Sequence, residues 1–524
     1  MARVKAWLGL AASIGLVLVL VLVAGVVVAW LRSADDPCVA DGLSMQSPPA
    51  EPGKPAEPAE CVGVTGSELS DQFDPELNEA IERIATQNRA ATYSDSGSYV
   101  DVALLGPLSP PKQQQPGQPE QVRPMTSEQV RQMLIGAAVA QQRVNESGSG
   151  AGERFPPIRL LLANSGRRQN LWETAFEKLG RLADGRLVAV IALGTSVDYT
   201  QEAAKKLTAK GIPVIGATVT ADDFDHTKID GMIRVAPDTH DFVAALADYL
   251  GPRYGRGSAQ VVWDKNSHNG RGDLYAGSLK GNFEDQLKTW IREGEALGFD
   301  GEYNPSPGQP PSKFFHIVEG ICKNPPRVIL YAGRVPDLKH FIADLLARTC
   351  KKTEPLVVMT GVLALTDIDN DNDMVKELPD ANLTIVTAGV LDPHNPDGER
   401  DGFLRYLQAL NGSGLLNKKP DHPDHPDHPD QPDAYTCLAH DAVFTARRAI
   451  YTAITAGRAS EKYPTHDEVR SQLLRLGEIP GCSGTFSFDE HGKPLGTPTP
   501  IVVIPAAADP AAKTTRLTTT HPPR

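Results

Sequence analysis

The sequence predicts an α/β protein of two doubly wound lobes joined at a hinge and preceded by one transmembrane helix. Three observations predict it. An almost unbroken apolar run fills residues 6–31, apolar strands alternate with amphipathic helices from residue 99 to residue 390, and the strands are too many for one sheet. The continuous apolar run 187–193 reads as a strand buried on both faces, the mark of a parallel sheet covered by helices. With 524 residues, 40% of them hydrophobic, the chain can fill two or three ordinary domains.

Composition narrows the function classes. The 52 Lys+Arg against 65 Asp+Glu leave a net charge of -13, which disfavours phosphate binding and provides no general basic footprint for nucleic acid. The 46 Gly and 43 Pro supply loops and linkers without making the chain disordered throughout. Six cysteines suit a few staples in an oxidising compartment.

The elements follow in order. A bilayer core of ~30 Å needs about 20 apolar residues, and a cleavable signal has an apolar region of only about 7–15. The 26 residues of 6–31 therefore read as a membrane anchor. Arg3 and Lys5 precede it, and Asp35 and Asp36 follow Arg32, which puts residues 1–5 inside and the bulk of the chain outside the cell membrane. A signal cleaved after export is the alternative, with the same outside location. Residues 33–97 read as an acidic, Pro-rich stalk and a lead-in helix. Pro48, Pro49, Pro52, Pro55 and Pro58 keep the stalk extended and unable to pack, and Leu77, Ile81 and Ile84 mark a helix over 74–89.

A strand at 99–105 precedes a Pro/Gln-rich loop at 110–124. Thr126-Ser127-Glu128-Gln129 is a capping box opening a helix to about Val144. Strand 158–163 leads to a helix spaced by Leu171, Trp172, Ala175, Phe176, Leu179 and Leu182. Strand 187–193, helix 199–209 and strand 212–217 follow. Then come helix 241–250, strand 259–263, helix 274–291, strand 327–332, helix 338–347 and strands 356–360 and 383–390. A helix at 402–410, a low-complexity insert at 421–433 and helices at 441–456 and 467–476 lead to strands 485–488 and 501–504, and residues 506–524 form a disordered tail.

Six segments, in order, carry a resemblance. They are Val102-Ala103-Leu104-Leu105-Gly106-Pro107-Leu108-Ser109, Val190-Ile191-Ala192-Leu193-Gly194-Thr195-Ser196, Gly211-Ile212-Pro213-Val214-Ile215, Thr218-Val219-Thr220-Ala221-Asp222, Ile233-Arg234-Val235-Ala236-Pro237, and Ser483-Gly484-Thr485-Phe486-Ser487-Phe488-Asp489 with Gly492. Together they resemble the type I periplasmic solute-binding proteins, in their branched-chain amino-acid-binding branch, over roughly residues 98–505. The sequence departs from that pattern around Asn266-Ser267-His268-Asn269-Gly270, in the long loop after the first strand, and at the 421–433 insert. The resemblance implies lobe one at 98–237 plus 393–480 and lobe two at 238–392 plus 481–505. It also implies an amino-acid-like ligand and a permease partner of an ATP-driven importer.

Such a ligand needs donors at strand C-termini and helix N-termini. Thr195, Ser196, Thr218 and Thr220 stand where the resemblance places a carboxylate site, and the bland role of such hydroxyls is helix capping. In lobe two, His268 occupies the loop that supplies an aromatic wall. Asp337 falls where an acid meets a ligand ammonium, with Arg334 as a competing partner and helix capping as its bland role. His422, His425 and His428 recur in extended Asp-His-Pro units that do not converge on a metal, and Asp367, Asp369, Asp371 and Asp373 lack the glycine and the terminal acid of a calcium loop. No G-x-S-x-G, H-E-x-x-H, P-loop or Rossmann fingerprint occurs, so neither an enzyme nor a cofactor is expected. A sensor or interaction ectodomain that keeps the fold without a ligand is the alternative function.

Of the 15 ways to pair six cysteines, joining sequence neighbours within a module is simplest. It gives Cys38–Cys61 across the stalk, Cys322–Cys350 between helices flanking one strand, and Cys437–Cys482 near the hinge.

Overall fold

The computed structural model describes residues 38, 42–49, 57–66, 73–93, 98–109, 125–147, 155–270, 272–294, 296–301, 313–350, 355–363, 368, 371–391, 400–415, 433–456, 463–505 and 515–517. The anchor expected at 6–31, residues 421–432 of the low-complexity insert, and Asp367 and Asp369 lie outside them. Among the described residues no helix is long and apolar enough to cross a membrane.

Two seven-stranded sheets organise the chain. The first uses β1 (Leu43–Gln46), β2 (Glu60–Thr65), β3 (Val100–Gly106), β4 (Ile158–Asn164), β5 (Leu187–Ala192), β6 (Val214–Gly216) and β7 (Met232–Arg234), in the order β1-β2-β4-β3-β5-β6-β7. From β4 to β7 every neighbour is parallel. Side chains alternate between two faces along a strand, and β3 shows why its sequence has no polar face. Val102 and Leu104 enter one core while Ala103 and Leu105 enter the other. Helices α1 (Asn78–Thr92), α2 (Ser127–Ser147), α3 (Trp172–Leu182) and α4 (Asp198–Ala209) connect the strands. The capping box at α2 forms as its sequence requires. Thr126 Oγ1 accepts from the Gln129 amide at 3.2 Å, and Gln129 Oε1 accepts from the Thr126 amide at 3.1 Å.

The second sheet contains β8 (Ala259–Asp264), β9 (Leu297–Phe299), β10 (Val328–Ala332), β11 (Leu356–Gly361), β12 (Leu383–Ala388), β16 (Pro498–Ile504) and β17 (Thr515–Leu517). Its order is β17-β16-β12-β11-β10-β8-β9, and β16 runs antiparallel to β12. The helices α5 (Thr239–Leu250), α6 (Leu274–Gln286), α7 (Phe315–Lys323), α8 (Val335–Leu346) and α9 (Asn372–Glu377) belong to this half. The returning chain adds α10 (Arg400–Ser413), α11 (Ala434–Thr455), α12 (His466–Arg470) and a small sheet of β13 (Ile479–Gly481), β14 (Gly484–Phe488) and β15 (Pro494–Leu495).

Four expectations need correction. Within the tail expected to be disordered at 506–524, Thr515–Leu517 pairs antiparallel with β16 and extends the second sheet. The segment 33–97 is not wholly a stalk, because β1 and β2 pair with each other and β2 pairs with β4, extending the first sheet by two antiparallel strands. The prolines fall between and beside these strands rather than in them, so they do not block the ladders. The helix expected at 441–456 starts at Ala434, where the Asp433 carboxylate caps it by accepting from the Thr436 amide at 3.1 Å. Cys437 therefore lies inside the helix rather than before it. The hairpin assigned to the second lobe forms a separate sheet, and only Pro498–Ile504 joins the second large sheet. Within the first half, α11 can lie close along α2 because Gly136 has no side chain. A Cβ there would stand 2.0 Å from the Thr436 carbonyl oxygen.

The cysteines pair as sequence neighbours: Cys38–Cys61, Cys322–Cys350 and Cys437–Cys482. The last joins α11 to the loop between β13 and β14. Beside it, buried Asp441 accepts from the Cys482 amide at 2.6 Å, the Ser483 amide at 2.9 Å and the Ser483 hydroxyl at 2.6 Å.

Candidate ligand-binding site

The site begins where β5 ends. Ala192, Leu193 and Gly194 take φ values of 75°, 74° and 74°, three successive left-handed residues of which two carry a side chain. Each non-glycine residue there costs roughly 1–2 kcal/mol, so something must hold the turn. Gln169, itself at φ 63° and buried, does so. Its Oε1 accepts from the Thr195 amide at 3.0 Å and its Nε2 donates to Thr200 Oγ1 at 2.9 Å.

The loop after β6 is sewn to this turn. Ser196 Oγ accepts from the amides of Thr220 at 2.8 Å and Ala221 at 3.1 Å, while the Thr218 hydroxyl donates to the Gly194 carbonyl. Thr195, Thr218 and Thr220 thus come from adjacent strand C-termini, with their places set by polar side chains between the loops.

From the second sheet comes Arg334, between β10 and α8. Its Nε and Nη2 donate to the two oxygens of buried Asp273, the latter at 3.0 Å. Nη1 reaches across to Thr195 Oγ1 at 2.6 Å, and Nη2 to the Ser196 carbonyl at 3.3 Å. Burial works against the Arg334 cation, but the Asp273 carboxylate more than offsets it and raises the guanidinium above its ordinary value. Asp273 is held in turn, because it caps α6 by accepting from the Ala276 amide at 3.1 Å. Tyr275, the second residue of α6, donates its hydroxyl to the Gly361 carbonyl at 2.6 Å, and burial pushes its phenol up. Nearby Asp264 is pushed up to about 7, first by burial and then by the Asp273 charge. The halves also meet through the Asp198 amide, which donates to the Gly272 carbonyl at 3.1 Å, and through a bridge between Val197 and Asp273.

Between these groups lies a cavity with an empty volume of about 430 Å3, mouth included. Thr195, Thr218 and Thr220 line it from the first sheet, and Arg334 and Tyr275 from the second. Val335, Pro336, Val362 and Leu363 make an apolar wall, and Gln129 and Tyr435 close it from the first half. A few fixed polar groups beside an apolar wall is the usual make-up of a small-ligand site.

Three of the expected hydroxyls therefore share the cavity. Ser196 does not line it and instead braces the loop behind it. Asp337 is a clear departure. It is buried away from the cavity, with Lys313 donating to its carboxylate. Asp337 is the third residue of α8 and is held by Lys313, two residues before α7, while Arg334, at the cap, lines the cavity. The competition expected between Asp337 and Arg334 does not arise, because Arg334 pairs with Asp273. The His268 side chain lies outside the described groups, and its backbone belongs to a short helical turn. Gln169, Asp273, Tyr275 and Tyr435 carry no local sequence signal for a site, and Gln129 shows in sequence only as a capping residue. Only a pairing of Arg334 with an acid could have been sought in sequence. Asp371 caps α9 and pairs with Lys339 at 2.9 Å. Among the described residues one group, Asp238, His240 and Asp241, gathers metal-ligand atoms within 4.8 Å, but Asp238 is already engaged by Arg234 and Lys493.

Two mixed sheets with parallel centres, covered by helices, and a cavity at the strand ends between them have the architecture of the type I periplasmic binding proteins. The sequence matches no family model and no curated protein. Solved structures do match. A substrate-binding protein of an ABC transporter from Desulfitobacterium hafniense, in complex with leucine, is 16% identical over 77% of this chain and 96% of its own, with a TM-score of 0.53. A branched-chain amino acid transporter substrate-binding protein from Streptococcus pneumoniae, in complex with isoleucine, is 13% identical over 77% and 95%, with a TM-score of 0.52. A solute-binding protein of an ABC transporter from Rhodopseudomonas palustris, in complex with 3,4-dihydroxybenzoic acid, is 12% identical over 77% and 92%, with a TM-score of 0.51. At these identities the likeness is one of fold.

Proposed function

We propose that this chain is an extracytoplasmic solute-binding protein, not an enzyme, whose lobes close on a small polar ligand. Lobe one is 98–237 plus 393–480 and lobe two 238–392 plus 481–505, the chain is tethered to the cell membrane through residues 6–31, and an importer permease is its partner. The observation that carries the reading is the cavity itself, walled by strand-end hydroxyls of one sheet and by Arg334 and Tyr275 of the other. Thr195, Thr218 and Thr220 receive the anionic or carbonyl end of the ligand. The leucine and isoleucine held by two of the similar structures favour an amino acid or related molecule as the first class to test.

The test is a thermal-shift screen of the full chain in detergent against amino acids, amides and small carboxylates. A ligand at ~100 times its Kd adds about 2.7 kcal/mol of stability. A flat response across the screen turns the reading to the alternative, an ectodomain that uses the fold to meet a partner. Retention of the full chain in membranes after alkaline carbonate extraction supports the tether, and release into the supernatant removes it.

A further inference from the structure

Building on the solute-binding reading, we infer that the cleft selects solutes carrying a carboxylate without a compensating ammonium, and that Arg334 is the residue that makes the selection. Arg334 lines the cavity, and Asp273 fixes its planar fork at two points. A guanidinium has five N–H donors. Two go to Asp273, one to Thr195 Oγ1 and one to the Ser196 carbonyl, leaving one on Nη1. An incoming carboxylate takes that donor and replaces Thr195 Oγ1 as acceptor of the other, and the freed Thr195 hydroxyl then donates to it. Arg forks of this kind match carboxylates in shape as well as charge.

An ammonium on the same solute finds the opposite setting. Asp273, the acid bonded to Arg334, has both oxygens committed, to Arg334 and to the Ala276 amide near the start of α6. Asp337, the acid closest to Arg334 in sequence, is turned to Lys313. The apolar part of the lining is Val335, Pro336, Val362 and Leu363, which suits a short aliphatic or aromatic body and would strip water from a cation. Repulsion from the guanidinium adds to that penalty. The ligand class is therefore small apolar monocarboxylates.

The experiment is calorimetric titration of the full chain in detergent with three matched probes: 4-methylpentanoate, which has the carboxylate alone, L-leucine, which has both charges, and 3-methylbutylamine, which has the ammonium alone. The expected order is 4-methylpentanoate at least tenfold tighter than L-leucine, with no heat from the amine. Arg334→Gln should weaken 4-methylpentanoate at least tenfold, and Arg334→Lys, which keeps the charge without the fork, should fall between. L-leucine binding as well as or better than 4-methylpentanoate overturns the inference and leaves the solute-binding reading in place. A response to none of the three, with some other member of the thermal-shift panel bound, also overturns it. Silence across the whole panel removes the solute-binding reading itself. Because the order of the three probes is measured on the unaltered chain, the test stands even where a variant fails to fold, and unchanged affinity in a folded Arg334→Gln chain removes Arg334 from its role.

Discussion

A methyl group placed on Gly194 tests how the strained turn at the cavity is held. Gly194 has φ +74°, and a Cβ there would stand 1.7 Å from Gln169 Oε1 and 2.9 Å from its Cδ. Gln169 cannot step aside without releasing the Thr195 amide and the Thr200 hydroxyl. Gly194→Ala therefore carries a left-handed cost of roughly 1–2 kcal/mol and an overpacking cost of about 1–3 kcal/mol. Gln169→Ala alone leaves the buried Thr195 N–H without its acceptor, which costs about 1–3 kcal/mol. In the double variant the amide is gone from the place the methyl needs. The overpacking disappears while the left-handed cost and the unpaired Thr195 N–H remain, so the double variant should be about 1–3 kcal/mol more stable than the two single costs predict. The assay is urea unfolding of the four chains followed by circular dichroism, with linear extrapolation to water. Costs that add within ~0.5 kcal/mol, as for independent sites, would refute the claim that Gln169 holds this turn.

Asp337→Asn should destabilise the fold by on the order of 3–5 kcal/mol, because it takes the carboxylate from a Lys313 whose side chain is only 9% exposed. It should leave ligand affinity unchanged, which unfolding and calorimetry on the same preparation check. Acid should weaken the fold through His440. Arg143 can only donate to its Nε2, at 2.7 Å, so the ring is neutral with Nδ1–H donating to Asp441 at 2.9 Å, and burial pulls its pKa below 6.5. The unfolded chain thus binds the extra proton first, and this contribution is complete above about pH 6.5 and is lost as pH falls from there toward the lowered folded value. Melting temperatures at pH 5 and pH 7.5 should differ less in His440→Gln than in the parent, and an equal drop in both would count against it. Replacing Cys437 and Cys482 by serine opens a loop closed across a separation of 45 residues and should cost up to about 4 kcal/mol by chain entropy, read from the urea midpoint.

What the sequence determined by itself is whatever acts between near neighbours. The double-sided burial of β5 shows as an unbroken apolar run, the start of α2 shows as Thr126 and Gln129 three residues apart, and the order of strands and helices shows as changes of period. The hydroxyls Thr195, Thr218 and Thr220 were also legible, because strand C-termini are where open α/β sheets place ligands. Tertiary structure alone decided which charges meet. Arg334 and Asp273 are 61 residues apart, Arg334 and Thr195 are 139 apart, and no local pattern joins them. Asp337 shows the same limit. Its position in sequence fitted an acid facing the cleft, yet its carboxylate is taken by Lys313, 24 residues away, while the cap residue Arg334 lines the cavity. The edge strands β1 and β2 were hidden for a related reason. Strands of four and six residues beside prolines carry too short a pattern to read; β2 forms on the unpaired edge of β4, and β1 forms on β2 in turn.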